Sequence, residues 1–213
     1  MSGYSNTINK GEGSFVGGKA SSISGSCSIA FGNGVRSIGG YNALFGYNVK
    51  QYEEDTSNCT FGGGSEITYT GAGNIFGGRK HIIDGAMNAT FGDTGIIKGS
   101  HNLSAGYNNQ IIASYSIAAG LNNKITGDST NNIVFGNDNT VSGTNNFVVN
   151  GKGYTEGTDA RYSGNTVSGY SHFVSGTHNT VSGMWNFVTG FNNTVTKSHS
   201  YLLGRDLTCD TES

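Results

Sequence analysis

Proline is absent from this chain of 213 residues, and charged side chains make up only 12% of it, about half the ~25% of an ordinary globular domain. With 36 glycines and few Lys or Glu, a long helical protein is excluded, because Gly costs ~1 kcal/mol against Ala at each helical position. A disordered tail is excluded by 11 Phe and 11 Tyr. No run nears the ~18 consecutive apolar residues that a membrane span requires. The net charge of −2 and the lack of a basic run argue against nucleic acid as a partner. Only three cysteines occur (Cys27, Cys59, Cys209), with no C-x-x-C pair. They read as lone small core residues rather than a disulfide framework. Neither a basic segment nor an apolar stretch follows Met1, so no secretion signal is expected.

What the chain has instead is a repeat. A short apolar run ending in Gly recurs, as at Ile29 to Gly32, Ala43 to Gly46, Ile133 to Gly136, Phe187 to Gly190 and Tyr201 to Gly204. Taking Gly17, Gly32, Gly46, Gly62, Gly77, Gly92 and their successors as terminal glycines gives about 13 coils of 14–16 residues, with one spacing of 25. Five residues after most of these glycines stands Ile or Val, including Ile67, Ile97, Ile125, Val141 and Val195. The local pattern becomes Asn-Thr-Val-Ser-Gly at 139–143, 165–169 and 179–183. Each coil therefore holds two short strands and two tight turns, and Gly and Asn accept the positive φ of such turns at least cost. Leucine-rich coils need ~20–29 residues, so coils this short imply a flat, two-sheet parallel β-roll. Residues 1–213 are expected to form one all-β solenoid domain with an inserted loop at 152–163.

The two strands of a coil differ. In Asn-Thr-Val-Ser only Val is apolar, so that sheet shows Thr and Ser to water. In the Gly-terminated strand neighbouring residues are both apolar, as at Phe147 and Val148 or Phe187 and Val188. Adjacent strand residues point to opposite faces, so this sheet is apolar on both sides. One side closes the roll. The other needs a cover, which implies self-association around a symmetry axis, with Val134, Val148, Val174, Val188 and Leu202 assigned to the subunit interface. Tyr4 to Ile8 already reads as part of a coil, and Cys209 follows Gly204 by five residues, so both ends lack caps. Solenoid ends need covering, so other proteins are expected there.

These short Ser/Asn-led strands ending in Gly, with a 14–16-residue period over about residues 4–208, resemble the head domain of YadA-type trimeric autotransporter adhesins. Ser28 to Gly32 (Ser-Ile-Ala-Phe-Gly) and Ser116 to Gly120 carry the likeness. Similar rolls occur in bacteriophage tail fibres. The resemblance implies a left-handed roll, a homotrimer, and contact with a host surface glycan or protein. The sequence departs from the adhesins in lacking a signal peptide, a heptad stalk and anchor strands. Phe31, Phe45, Phe61, Phe76, Phe91 and Phe135 also stand where that family has Ile in the core. An unexported head fits a virion part, because phages assemble inside the cell.

Among candidate sites, the loop offers Tyr154, Asp159, Arg161 and Tyr162 for receptor contact, and Trp185 lies in a turn beside Met184. No pair of carboxylates recurs at one coil offset, so no glycosidase dyad is expected. The histidines show no ligand spacing and read as surface residues, and no metal or other cofactor is implied. The expected function is a non-enzymatic, trimeric module of a phage tail fibre or other virion appendage. It would bind a cell-surface receptor and join fibre or baseplate proteins at its ends, without inserting into membrane. A bacterial cell-surface adhesin head is the alternative, followed by a polysaccharide depolymerase tailspike. An ice-binding solenoid ranks below these: Thr166, Thr180 and Thr194 form a short ladder, but no regular Thr-x-Thr plane is evident.

Overall fold

The computed structural model describes residues 1–9, 11–51, 57–61, 67–151 and 164–210. The chain is an all-β parallel solenoid of about thirteen turns, with no helix among the described residues. Each turn gives one strand of three or five residues to a first sheet and one of two to seven residues to a second. By its contacts the chain divides into two compact units, Met1–Ser104 and Ala105–Ser213.

In the first unit, the first sheet runs in sequence order from Ser2–Tyr4 to Ala89–Asp93, and the second from Thr7–Ile8 to Ile96–Lys98. Val16, Ala30, Leu44 and Phe76 point inward from the first sheet and meet Ile23, Tyr69, Ile83 and Ile97 from the second; all are buried. Each of the Val, Leu, Ile and Phe side chains contributes roughly 2 kcal/mol by leaving water. Tyr69 packs on Phe76 with centroids 4.8 Å apart. Its hydroxyl donates to Gln51 Oε1 at 3.3 Å, an oxygen that also accepts from Asn42 Nδ2 at 3.2 Å. The polar groups that intrude on this core therefore satisfy one another.

In the second unit, the first sheet includes Ile117–Leu121 through Tyr201–Arg205 and the second Gln110–Ser114 through Thr208–Cys209. The core narrows to small side chains: Ala118, Val134, Val148, Val174 and Val188 against Ile111, Ile125, Val141, Val167, Val181 and Val195. Thr140 pairs with Thr166 and Phe147 with Phe173, so the insertion leaves the register of both sheets intact. The loop at 152–163, with Tyr154, Asp159, Arg161 and Tyr162, lies outside the described residues.

Several expectations are corrected. Val134, Val148, Val174 and Val188 are fully buried inside their own roll and cannot form a subunit interface. Leu202 follows them in the same inward column and is half-buried. Their neighbours Ile133, Phe147, Phe173, Phe187 and Tyr201 take the outer face, because side chains alternate. For the same reason Phe31, Phe45, Phe91 and Phe135, expected in the core, lie outside, whereas Phe76 is in the core as expected. The glycine column contains Gly18 and Gly78 rather than Gly17 and Gly77, which pair with Phe31 and Phe91. In both of these Gly-Gly pairs only the second residue has a positive φ, a distinction that residue types alone do not carry. Close approach explains the column: at Gly190 a Cβ would overlap the carbonyl oxygen of Gly204 in the next coil. Cys27 is exposed and Cys59 and Cys209 half-buried, all as free thiols, so none is a fully buried core residue.

Candidate functional site

The most regular polar surface lies on the second sheet of the second unit. Thr140, Thr166, Thr180, Thr194 and Thr208 pair in register, one per coil. Val141, Val167, Val181 and Val195 follow them into the core. Alternation then turns Ser142, Ser168, Ser182 and Thr196 outward again. Rows one coil apart lie ~4.8 Å from each other, and the two outward columns ~7 Å. Main-chain bonds fix the rows: the Thr166 amide donates to the Asn179 carbonyl, the Thr180 amide to Asn193 and the Thr194 amide to Leu207, each at 2.8 Å.

A buried asparagine ladder locks the residue before each threonine. The Asn165, Asn179 and Asn193 amides each donate at 3.0 Å to Oδ1 of the Asn one coil earlier, namely Asn139, Asn165 and Asn179. Their Nδ2 groups donate to the same oxygens at 3.1, 2.9 and 3.0 Å. A second bond from each Nδ2 reaches Gly176, Gly190 or Gly204 at 2.8–3.0 Å. Each Asn thus saturates its own amide and ties two coils together.

The face has a sharp border. Lys124 stands in the threonine column just before Thr140. In the first unit the corresponding positions hold Arg36, Lys50, Thr68, Ile82 and Ile96, so no threonine row forms there. Within the Thr/Ser face no side chain titrates. It offers hydroxyls that donate and accept, interleaved with methyl groups, on a rigid backbone. Among the described residues, no three His, Cys, Asp or Glu side chains converge as metal ligands.

Trp185 is 59% exposed in a turn at φ 56°, edge-on to His199 with centroids 4.9 Å apart. It leads into the outer face of the first sheet at Phe187 and lies off the Thr/Ser face. Two groups escaped the sequence reading. Asparagine suits turns by residue type, yet a column of asparagines is buried. His81 and His172, expected at the surface, are also buried. Their signal was positional: His172 stands where neighbouring coils have Asn146 and Asn186.

A sequence model of the grass antifreeze β-roll family matches residues 113–204, a span that contains Thr140 to Thr196. No curated protein matches the chain.

Proposed function

We propose that the second unit binds ordered water at an ice surface through its Thr/Ser face. The carrying observation is the in-register row Thr140, Thr166, Thr180 and Thr194 with its companion Ser/Thr column. A planar, uncharged lattice of hydroxyls and methyls can hold water in a fixed array, whereas charged side chains would bind water in disordered shells. The buried Asn ladder supports this by removing freedom before contact, so that little ordering entropy is lost on binding. The likeness of residues 113–204 to the grass antifreeze β-roll supports the same reading. Wild type is expected to show thermal hysteresis and to restrain ice recrystallisation. Thr180→Tyr, a bump on the flat face, should reduce both several-fold while the far-UV circular dichroism stays unchanged. A wild type without effect on ice growth refutes the reading.

A second reading is a structural or host-contact module: a homotrimer in a phage tail fibre, or alternatively in a bacterial surface adhesin. It is favoured by the apolar outer face of the first sheet, which suits chains packed side by side. Retention of the purified protein on intact bacterial cells, lost on Trp185→Gly, would support it.

A further inference from the structure

We propose that the turn edge around Trp185, in the second unit, binds a neutral sugar chain. At this edge the coils turn through a non-glycine residue with positive φ. Main-chain bonds stack these residues in a column. The Asn145 amide donates to the Thr130 carbonyl, Ser171 to Thr144, Trp185 to Tyr170 and His199 to Met184. Asn145 suits the position, because a short amide side chain tolerates the left-handed conformation. A bulky ring does not. Its Cβ crowds the following carbonyl oxygen, and such strain persists where something else compensates. Trp185 stands there at φ 56° and is 59% exposed, so burial supplies no compensation. The opposite edge of the same unit shows the contrast. Its positive-φ positions run from Asn108 and Asn122 to Asn192 and Asp206, and His178 brings the one ring among the described residues. An exposed indole held at a conformational cost is the mark of a residue kept for contact.

The neighbours of Trp185 select the ligand class. Tyr170, one coil earlier and paired with Met184, is 56% exposed and brings a hydroxyl. His199, one coil later, sets its ring 4.9 Å from the indole. Ser171 and Asn145 continue the column at ~4.8 Å per coil. The edge thus combines apolar ring faces with hydrogen-bonding groups. None of these side chains is a lysine, an arginine or a carboxylate, so a phosphate, an acidic sugar or a cation meets no charge partner. A peptide cannot add as a strand here. The Ser171, Trp185 and His199 amides already donate to carbonyls one coil earlier at 2.8–2.9 Å. A neutral pyranose matches what remains, with C–H faces that lie on a ring and hydroxyls that donate and accept. This gives the host-contact reading its ligand class, and rests on that reading for the surface where the sugar is met.

Trp185 is the single tryptophan of the chain, so its fluorescence reports this edge alone. The full chain is titrated with maltohexaose, cellohexaose, mannohexaose and N-acetylated chitohexaose. A saturable change in emission is expected with at least one of them. Tyr170→Ala and His199→Ala should each weaken that binding several-fold, and Thr180→Lys on the Thr/Ser face should leave it unchanged. By calorimetric titration Trp185→Gly should lose it altogether, with a Tm no lower than that of wild type, because glycine accepts this φ without strain. An emission that none of the four sugars moves overturns the proposal. So does a sugar that Trp185→Gly still binds, or a lowered Tm in that variant, which would make the indole a structural part. Retention on cells without sugar binding overturns this inference and leaves host contact standing, with a protein as the ligand. Sugar binding without retention does the reverse.

Discussion

At position 172 a histidine does the work of the asparagines in the coils on either side. Its amide donates to Asn146 Oδ1 at 3.1 Å, its Nδ1 accepts from the Asn186 amide at 3.2 Å, and Nε2 lies 3.0 Å from the Ser168 carbonyl. Asn146 likewise reaches back four residues to Ser142 and accepts from the following coil. His81 repeats the device between the Gly95 amide and the Gly77 carbonyl. Both rings must be neutral, with the proton on Nε2, since a protonated Nδ1 would face a donor with a donor. Burial lowers both pKa values; the carbonyl bonds, and Asp93 near His81, oppose it without reversing it. A folded-state pKa below the unfolded ~6.5 means that the unfolded chain binds more protons below that pH. This share of stability is therefore full above pH ~6.5 and is lost as pH falls below it. Thermal melts at pH 7.5 and 5 should show a smaller drop in Tm for His81→Asn/His172→Asn than for wild type. An equal drop would place the acid sensitivity elsewhere.

Among elements, the asparagine ladder carries more than the strands that it flanks. Strands such as Thr180–Val181 contain only two residues, too few to hold register alone. Asn179→Ala would leave the Asn193 amide and the Gly190 carbonyl without their partners inside the roll. At ~1–3 kcal/mol for each such group, denaturant unfolding should show a loss of about 3 kcal/mol or more. Asn179→His should lose much less, since His172 shows that the geometry accepts an imidazole. The period, the two-strand coil and the outward Thr and Ser were legible because alternation writes them into residue types. Which of Phe147 and Val148 faces inward was not legible, because both are apolar and the pleat phase is set by the narrow space between two sheets. The Asn ladder stayed hidden because Asn also suits exposed positive-φ turns, as at Asn122, Asn131 and Asn192. The face at Thr140 to Thr208 is hard to read from residue types because its second column mixes Ser with Thr.

For the molecule as a whole, the coil is the unit of change. Bonds in the ladder of the second unit join residues 14 apart, as from Asn165 to Asn179 and on to Asn193. Deleting residues 179–192 brings Asn193 under Asn165 and should give a folded, shorter roll with weaker ice activity, having one fewer threonine row. Deleting residues 179–191 instead shifts the register by one and turns valines outward and threonines inward, so it should abolish folding. Circular dichroism and proteolysis of the two variants separate these outcomes.

The insertion between residues 151 and 164 already shows that extra chain passes between coils without disturbing the pairing of Thr140 with Thr166. The identical Asn-Thr-Val-Ser-Gly segments at 139–143, 165–169 and 179–183 repeat similar coding sequence in successive coils. Unequal recombination between such segments adds or removes a whole coil in frame. Selection can therefore adjust the length of the working face in single steps, each yielding a chain that still folds.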